Sequence, residues 1–258
     1  MIIIKLGGSV ITDKTKYRAF KKGRVSRLCD EIKMSGKDVI IVHGAGSFGH
    51  IVAKKYSLQN GYASEGQIPA LAMVSLDVRE LNTMMMTEII NSGINAISIP
   101  PSAAFRMKDG EIVGDTTILK KYVELGIMPV MFGDVAIDDG KEFSICSGDK
   151  IMEMLADLFN PEMVVFVSDV DGLYDCDPKT NKNAELFETV DHSILNNVIT
   201  EMDANDVTGG VHEKMEAMLR MSSAHRDCVL VNGTVEGRLL SVLKNEKTIY
   251  TRAKGGMQ

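Results

Sequence analysis

Short apolar runs recur along the chain, each fenced by glycines or polar turns. Ile2 to Leu6 is apolar apart from Lys5. A run that lacks the alternation of a half-exposed strand marks a strand covered on both faces. Val39 to Val42 repeats the pattern, as do Ala96 to Ile99, Met128 to Phe132, Met163 to Val167 and Val229 to Val231. Helical stretches lie between them. The clearest spans Ala70 to Asn91. There Leu71, Val74, Val78, Leu81, Met85 and Ile89 fall at three- and four-residue steps and predict one buried helix face. Gly93 supplies its stop signal. Val135 to Ile137, Asp138-Asp139-Gly140 and Phe143 to Ile145 predict a β-hairpin around an Asp-Gly turn. Strand–helix alternation with long crossovers predicts a doubly wound, largely parallel sheet covered by helices. Ligands of such sheets bind beyond the carboxyl ends of the strands.

Composition narrows the class. Of 258 residues, 45% are hydrophobic and 25% charged, a globular balance that excludes disorder. The net charge of -6 argues against a nucleic-acid binder. No apolar run approaches the ~18–20 residues that span a bilayer, so no membrane association is expected. Lys5 and Gly7-Gly8 follow the first apolar residues at once, which reads as a buried strand and not a signal peptide. Cys29, Cys146, Cys176 and Cys228 form no CxxC pair, so a reducing cytoplasm is expected over a disulfide framework or a zinc site. Methionine, at 17 residues, suits a plastic core or pocket lining.

The candidate chemistry sits where strands end. Lys5-Leu6-Gly7-Gly8-Ser9 closes the first strand. Adjacent glycines permit a sharp turn and present bare N–H groups to an anion, or simply turn the chain. The second strand runs into His43-Gly44-Ala45-Gly46-Ser47-Phe48-Gly49-His50, ahead of a helical stretch from Ile51 to Tyr56. A helix N-terminus preceded by glycines is a ready phosphate site. The pattern is neither a Rossmann GxGxxG nor a P-loop. Two such turns on successive strands point to phosphate binding more strongly than one. His50 closes the second turn and could donate to a phosphate oxygen, whereas His43 reads as a packing residue.

Lys14 to Arg27 carries seven basic residues and no acid. Most would be solvated, and Lys14, nearest the first glycine turn, is the candidate for contact. Ser147-Gly148-Asp149 opens a helix, with Asp149 a possible cap. Ser168-Asp169-Val170-Asp171-Gly172-Leu173-Tyr174 follows a strong strand and fits a nucleotide-binding turn or a polar loop, and Asp177-Pro178 beyond it is turn chemistry. Asp206-Val207-Thr208-Gly209-Gly210 precedes a helix carrying Lys214.

Taken in order, these motifs resemble the amino acid kinase superfamily over essentially the whole chain. Within it they resemble the isopentenyl phosphate kinases of an alternative mevalonate route. His50 is the discriminating residue: the amino-acid, carbamate and UMP branches generally lack it, while isopentenyl phosphate and fosfomycin kinases have it. Two positions depart from the pattern. Ala45 replaces a common glycine, which is tolerable at negative φ. Lys150 replaces an acid that often follows Ser-Gly-Asp, which removes a candidate metal ligand.

The resemblance implies a three-layer αβα sandwich and a homodimer. It places the acceptor in a lobe of about residues 1–160 and ATP with Mg²⁺ in about 161–258, both within one kinase domain. It implies that Gly44, Ala45, Gly46, Gly49, His50 and Gly148 meet the acceptor phosphate. Lys5, Gly7, Gly8 and Ser9 would hold ATP phosphates, and Lys14 would stabilise the transition state. Asp149 would orient the lysines, and Asp169, Asp171, Tyr174, Gly209 and Lys214 would serve the nucleotide. Leu71, Val74, Val135 and Ile145, from the long helix and the hairpin, are candidates for an apolar tail pocket. The expected reaction is phosphoryl transfer from ATP to isopentenyl phosphate. The alternatives are a kinase for another small phosphate or phosphonate such as fosfomycin, or a nucleotide-binding regulatory module without turnover.

Overall fold

The computed structural model describes residues 1–176, 178, 180–201 and 209–255. Its strands are β1 (Ile2–Leu6), β2 (Val39–His43), β3 (Ala96–Ser98), β4 (Arg106–Lys108), β5 (Glu111–Val113), β6 (Met128–Phe132), β7 (Asp134–Asp138), β8 (Glu142–Cys146), β9 (Met163–Ser168), β10 (Thr189–Val190), β11 (Asp227–Asn232) and β12 (Tyr250–Ala253). Its helices are α1 (Gly8–Ile11), α2 (Lys22–Ser35), α3 (Gly46–Lys55), α4 (Ile68–Asn91), α5 (Pro101–Ala104), α6 (Thr117–Glu124), α7 (Gly148–Phe159), α8 (His192–Glu201), α9 (Gly209–Met221) and α10 (Arg238–Leu243). Among the described residues no helix is long and apolar enough to cross a membrane.

Eight strands form the main sheet in the order β10-β12-β11-β9-β1-β2-β6-β3. Its pairings are parallel except β11 with β12. Successive side chains of a strand point to opposite faces. Ile2, Ile4 and Leu6 accordingly pack under α2, α4 and α10 with Leu28, Leu81, Met85 and Leu239. Ile3 turns the other way and joins Ile151, Leu155, Leu195 and Met218 under α7, α8 and α9. Two apolar cores back to back across one sheet make the expected αβα sandwich.

A second sheet, β5-β4-β7-β8, flanks the main one. Its β7–β8 pair is the expected hairpin, with Val135 opposite Ile145 and Ile137 opposite Phe143. The alternation pattern gave no sign of β4 and β5, strands of three residues each. Between this sheet, α3 and α4 lies a third apolar cluster that includes Val52, Leu58, Val74, Val78, Phe132, Val135 and Phe143.

The helix after β2 begins earlier than the glycines suggest. Ala45 already has helical backbone angles (φ -70°, ψ -22°), and Gly46 to Lys55 is one helix. Gly46 and Gly49 are therefore part of α3, and His50 lies in its second turn. Helix propensity undervalues glycine here because close packing decides the positions. Gly46 has a left-handed φ of +50°. A Cβ there would sit 2.3 Å from the Thr12 hydroxyl.

Candidate active site

Parallel registry lines up the carboxyl ends of four strands. Leu6 lies beside both His43 and Val167, and His43 lies beside Phe132. The segments that follow these residues therefore open onto one edge, the switch-point location for ligands. Backbone packs on backbone there. A Cβ on Gly8 would meet Gly46 Cα at 2.6 Å, and one on Gly44 would meet Gly8 N at 2.7 Å. Only hydrogens fit, so the two glycine turns merge into a single lobe.

A cavity of about 530 Å³ occupies this edge, within the ~300–1,000 Å³ usual for small-molecule sites. Lys5, Gly7, Gly8, Ser9, Lys14, Gly44, Ala45, Gly46, Gly49, His50, Gly148, Asp149 and Lys214 all line it. Strand alternation turns Lys5 away from Ile4 and Leu6, toward the N-terminus of α7. There its Nζ lies 2.5 Å from Asp149 Oδ1 and 5.5 Å from the centre of the Phe166 ring. Ser147 caps α7 by accepting from Lys150 N at 3.2 Å, which leaves the Asp149 carboxylate for Lys5. Lys150 points elsewhere, to Glu111 and Glu153 at 3.0 Å each.

Positive charge dominates this end. The Lys214 ammonium is pushed below the ordinary lysine range, first by burial and then by Lys5 and Lys14. The His50 ring, still reached by solvent, is held below the ordinary histidine value by the protein packed around it and by Lys5, Lys14 and Lys214. It is thus a neutral donor near pH 7, set among three lysines. Asp169 accepts from the Ser9 hydroxyl at 2.6 Å and lies 3.9 Å from Lys14 Nζ. Burial pushes its carboxyl up, but Ser9 and Lys14 outweigh this and leave it below the usual range. Among the described residues no cluster of three or more acidic, histidine or cysteine side chains is arranged to hold a metal ion.

The other end of the cavity is apolar. Val74 and Ile145 line it, together with Val78, Ala53 and Ile51. Leu71 and Val135 pack in the same apolar cluster but do not reach the cavity wall. Leu71 precedes Val74 by almost one turn of α4, and Val135 lies across the hairpin from Ile145. Helical and strand periodicity place residues on a face but not at a given depth along it.

Asp171 and Tyr174 also stand off the cavity. Asp171 accepts from Asn232 at 2.7 Å and pairs with Arg238, which ties the loop after β9 to α10. Asp206 to Thr208 and Asp177 lie outside the described residues, and Gly209 opens α9. His43 is fully buried, stacked on Phe132 at 5.3 Å, with its ring nitrogens 3.2 Å from Asn82 Oδ1 and Gly44 O.

Sequence reasoning overlooked Gly133 and Asp134, which line the cavity, Gly133 beside Ala45 and Gly148. Their signal was available: they follow the β6 run as Gly7 and Gly44 follow theirs. Asp134 is buried, accepts from Ser102 Oγ at 2.6 Å and Val135 N at 2.8 Å, and is pushed up by burial. Glu213, beside Lys214 on α9, was overlooked as well.

The amino acid kinase family model matches residues 1–232. The isopentenyl phosphate kinase of Thermoplasma acidophilum is 38% identical over 93% of this chain and 94% of its own. That of Methanothermobacter thermautotrophicus is 33% identical over 99% of both chains. A solved isopentenyl phosphate kinase structure superposes with a TM-score of 0.85 at 31% identity, covering 98% of this chain and all of the other.

Proposed function

The chain belongs to the amino acid kinase family and, within it, to the isopentenyl phosphate kinases, and we propose that its cleft moves the γ-phosphoryl group of ATP onto isopentenyl phosphate. The products are isopentenyl diphosphate and ADP. One observation carries this reading. A single cavity joins a lysine-rich, glycine-walled end to an apolar end, matching an acceptor that is a phosphate with a short hydrocarbon tail.

The acceptor phosphate is already an anionic nucleophile at neutral pH. Its oxygen forms the new bond to the γ-phosphorus, and the bond to the β–γ bridging oxygen breaks with its electron pair going to ADP. No general base is required. The obstacle is anion meeting anion, so catalysis rests on positioning and charge neutralisation. In this reading the N-terminus of α3, through Gly44, Ala45, Gly46 and Gly49, holds the acceptor phosphate, with His50 donating to it. Gly148 at the head of α7 adds to the same cradle. Lys5, Gly7, Gly8 and Ser9 hold the phosphates of ATP, and Lys14 meets charge that develops in transfer. Asp149 fixes Lys5, and Lys214 and Asp169 serve the nucleotide.

Mg²⁺ would ride on the ATP phosphates and neutralise their charge, with Asp169 and Asp149 the carboxylates nearest the lysine group. The division into an acceptor half through about residue 160 and a nucleotide half beyond it belongs to the same reading. So does a homodimer, supported by Ile68, Met73 and Leu76 exposed on α4. A cytoplasmic location belongs to the same reading and fits Cys29, Cys146 and Cys228, thiols buried in the core.

The test is ADP release with isopentenyl phosphate, dimethylallyl phosphate, fosfomycin, UMP, carbamate and N-acetylglutamate as acceptors. Turnover should be highest with isopentenyl phosphate and require ATP and Mg²⁺. Preference for fosfomycin or an amino acid would overturn the substrate while leaving the kinase fold intact.

A further inference from the structure

Lys14 is the least anchored of the cleft's cations. Its side chain is 67% exposed and 3.9 Å from Asp169, so neither burial nor a close ion pair fixes it. Its position depends on the loop that carries it, residues 12–21. The base of that loop is closed by a bridge between Thr12 and Phe20 and by Lys21 N donating to Ile11 O at 2.9 Å. Beside Lys14, Asp13 accepts from Thr15 N and Thr15 Oγ1, a local turn that shapes the tip without attaching it to anything.

Ala19 N donates to Ser47 Oγ of α3 at 3.3 Å, and Tyr17 and Arg18 tie the tip to α4. The Tyr17 hydroxyl donates to Asp77 Oδ2, and Arg18 reaches Asp77 at 3.6 Å as well as Glu80. Arg18 adopts φ +55°, a left-handed conformation that a non-glycine residue holds only when its surroundings compensate. Asp77 is 1% exposed, and a polar group buried that deeply needs partners, which Tyr17 and Arg18 supply. It also lies on α4 between Val74 and Val78, which line the apolar end of the cavity. One turn of α4 thus carries the two valines of the apolar end and, roughly 60–100° round the helix from them, the carboxylate that holds the Lys14 loop.

We propose that Asp77 is a positioning residue for Lys14, strapping the lysine's loop through Tyr17 and Arg18 to the helix that walls the acceptor chamber. The proposal rests on the phosphoryl-transfer reading, in which Lys14 acts at the transition state.

A mutant cycle tests this. Asp77→Ala should lower kcat about tenfold or more with the KM for ATP little changed, the pattern of a lost transition-state contact. Asp77→Asn should recover part of the loss, because its amide oxygen still accepts from Tyr17. In a Lys14→Ala background Asp77→Ala should cost less than about twofold, since a residue acting through Lys14 has nothing left to position. Equal losses in both backgrounds would overturn the proposal. Should Asp77→Ala fail to fold, Tyr17→Phe completes the same cycle with the ring retained. Hydrogen exchange gives a readout independent of the acceptor. Faster exchange of residues 13–20 in the Asp77 or Tyr17 variant supports the strap, and unchanged exchange refutes it. A wild-type chain without turnover would instead sink the kinase reading.

Discussion

The two ends of the cleft are built by opposite means. The phosphate end is made of backbone and a few fixed charges, Gly8, Gly44, Gly46, Lys5 and Lys214, gathered from chain segments far apart. The apolar end is made of side chains from α3, α4 and β8 that belong to an ordinary packed cluster. The first leaves little room for variation, because a Cβ on Gly8 or Gly44 would fall under 3 Å from neighbouring backbone. The second can change volume by one side chain at a time. On the proposed reading, reaction type is fixed at one end and acceptor choice is adjustable at the other.

The largest effect expected at the phosphate end is that of Lys14→Ala. In its proposed role Lys14 acts mainly in the transition state, so removing its charge should lower kcat roughly a hundred- to a thousandfold, with smaller changes in KM. The measurement is steady-state kinetics with both substrates varied. A rise in KM at constant kcat would reassign Lys14 to ground-state binding.

His43 is buried at the end of β2, behind the cleft, and its effect is on stability. Burial holds its pKa down at about 4, against 6.5 for an ordinary histidine. The unfolded chain therefore takes up a proton before the folded one does. Stability is complete above about pH 6.5 and falls as the pH drops toward 4, by about 3 kcal/mol for this group. Urea unfolding at intervals from pH 7 to pH 4 should show the loss. His43→Gln, which cannot titrate, should flatten that part of the profile.

His50→Ala should weaken acceptor use about ten- to a hundredfold in kcat/KM while ATP binding survives, the loss of one charge-assisted hydrogen bond. His50→Asn or His50→Gln should keep part of the activity, since an amide still donates. Nucleotide affinity measured by calorimetry separates the two ends. Loss of ATP binding in His50→Ala would merge them.

The smallest effects belong to the apolar end. Val74→Ala or Ile145→Ala enlarges the cavity itself, and each additional buried CH₂ of a longer acceptor is worth up to ~0.8 kcal/mol. Both should raise the ratio of geranyl to isopentenyl phosphate turnover. Leu71→Ala and Val135→Ala lie behind the wall and should move it less. A ratio that shifts equally in all four, with melting temperatures matched, would show that the wall is not the determinant.

The same contrast explains what could be read from the sequence. The runs at Ile2 to Leu6 and Met128 to Phe132 became strands with those limits, because continuous apolar sequence has few other uses. The glycine turns were visible because glycine is punctuation wherever it stands. Depth was not visible. Leu71 and Val74 share a periodicity, but only the packing of α4 on α3 puts Val74 at the wall. The start of α3 at Gly46 was hidden because glycine reads as a helix breaker until the close approach of Gly8 is known. The pairing of Asp77 with Tyr17 spans 60 residues and leaves no local pattern.

The central claim is that one end of the cleft handles the phosphate and the other the tail. It is tested most directly by comparing kcat/KM for isopentenyl phosphate and methyl phosphate, which share the reacting group and differ by four carbons. Burial of those carbons at ~0.8 kcal/mol each predicts a preference of roughly a hundredfold for isopentenyl phosphate. Lys14→Ala should lower the rate of transfer to both acceptors. Equal kcat/KM for the two in the wild-type protein would contradict the account.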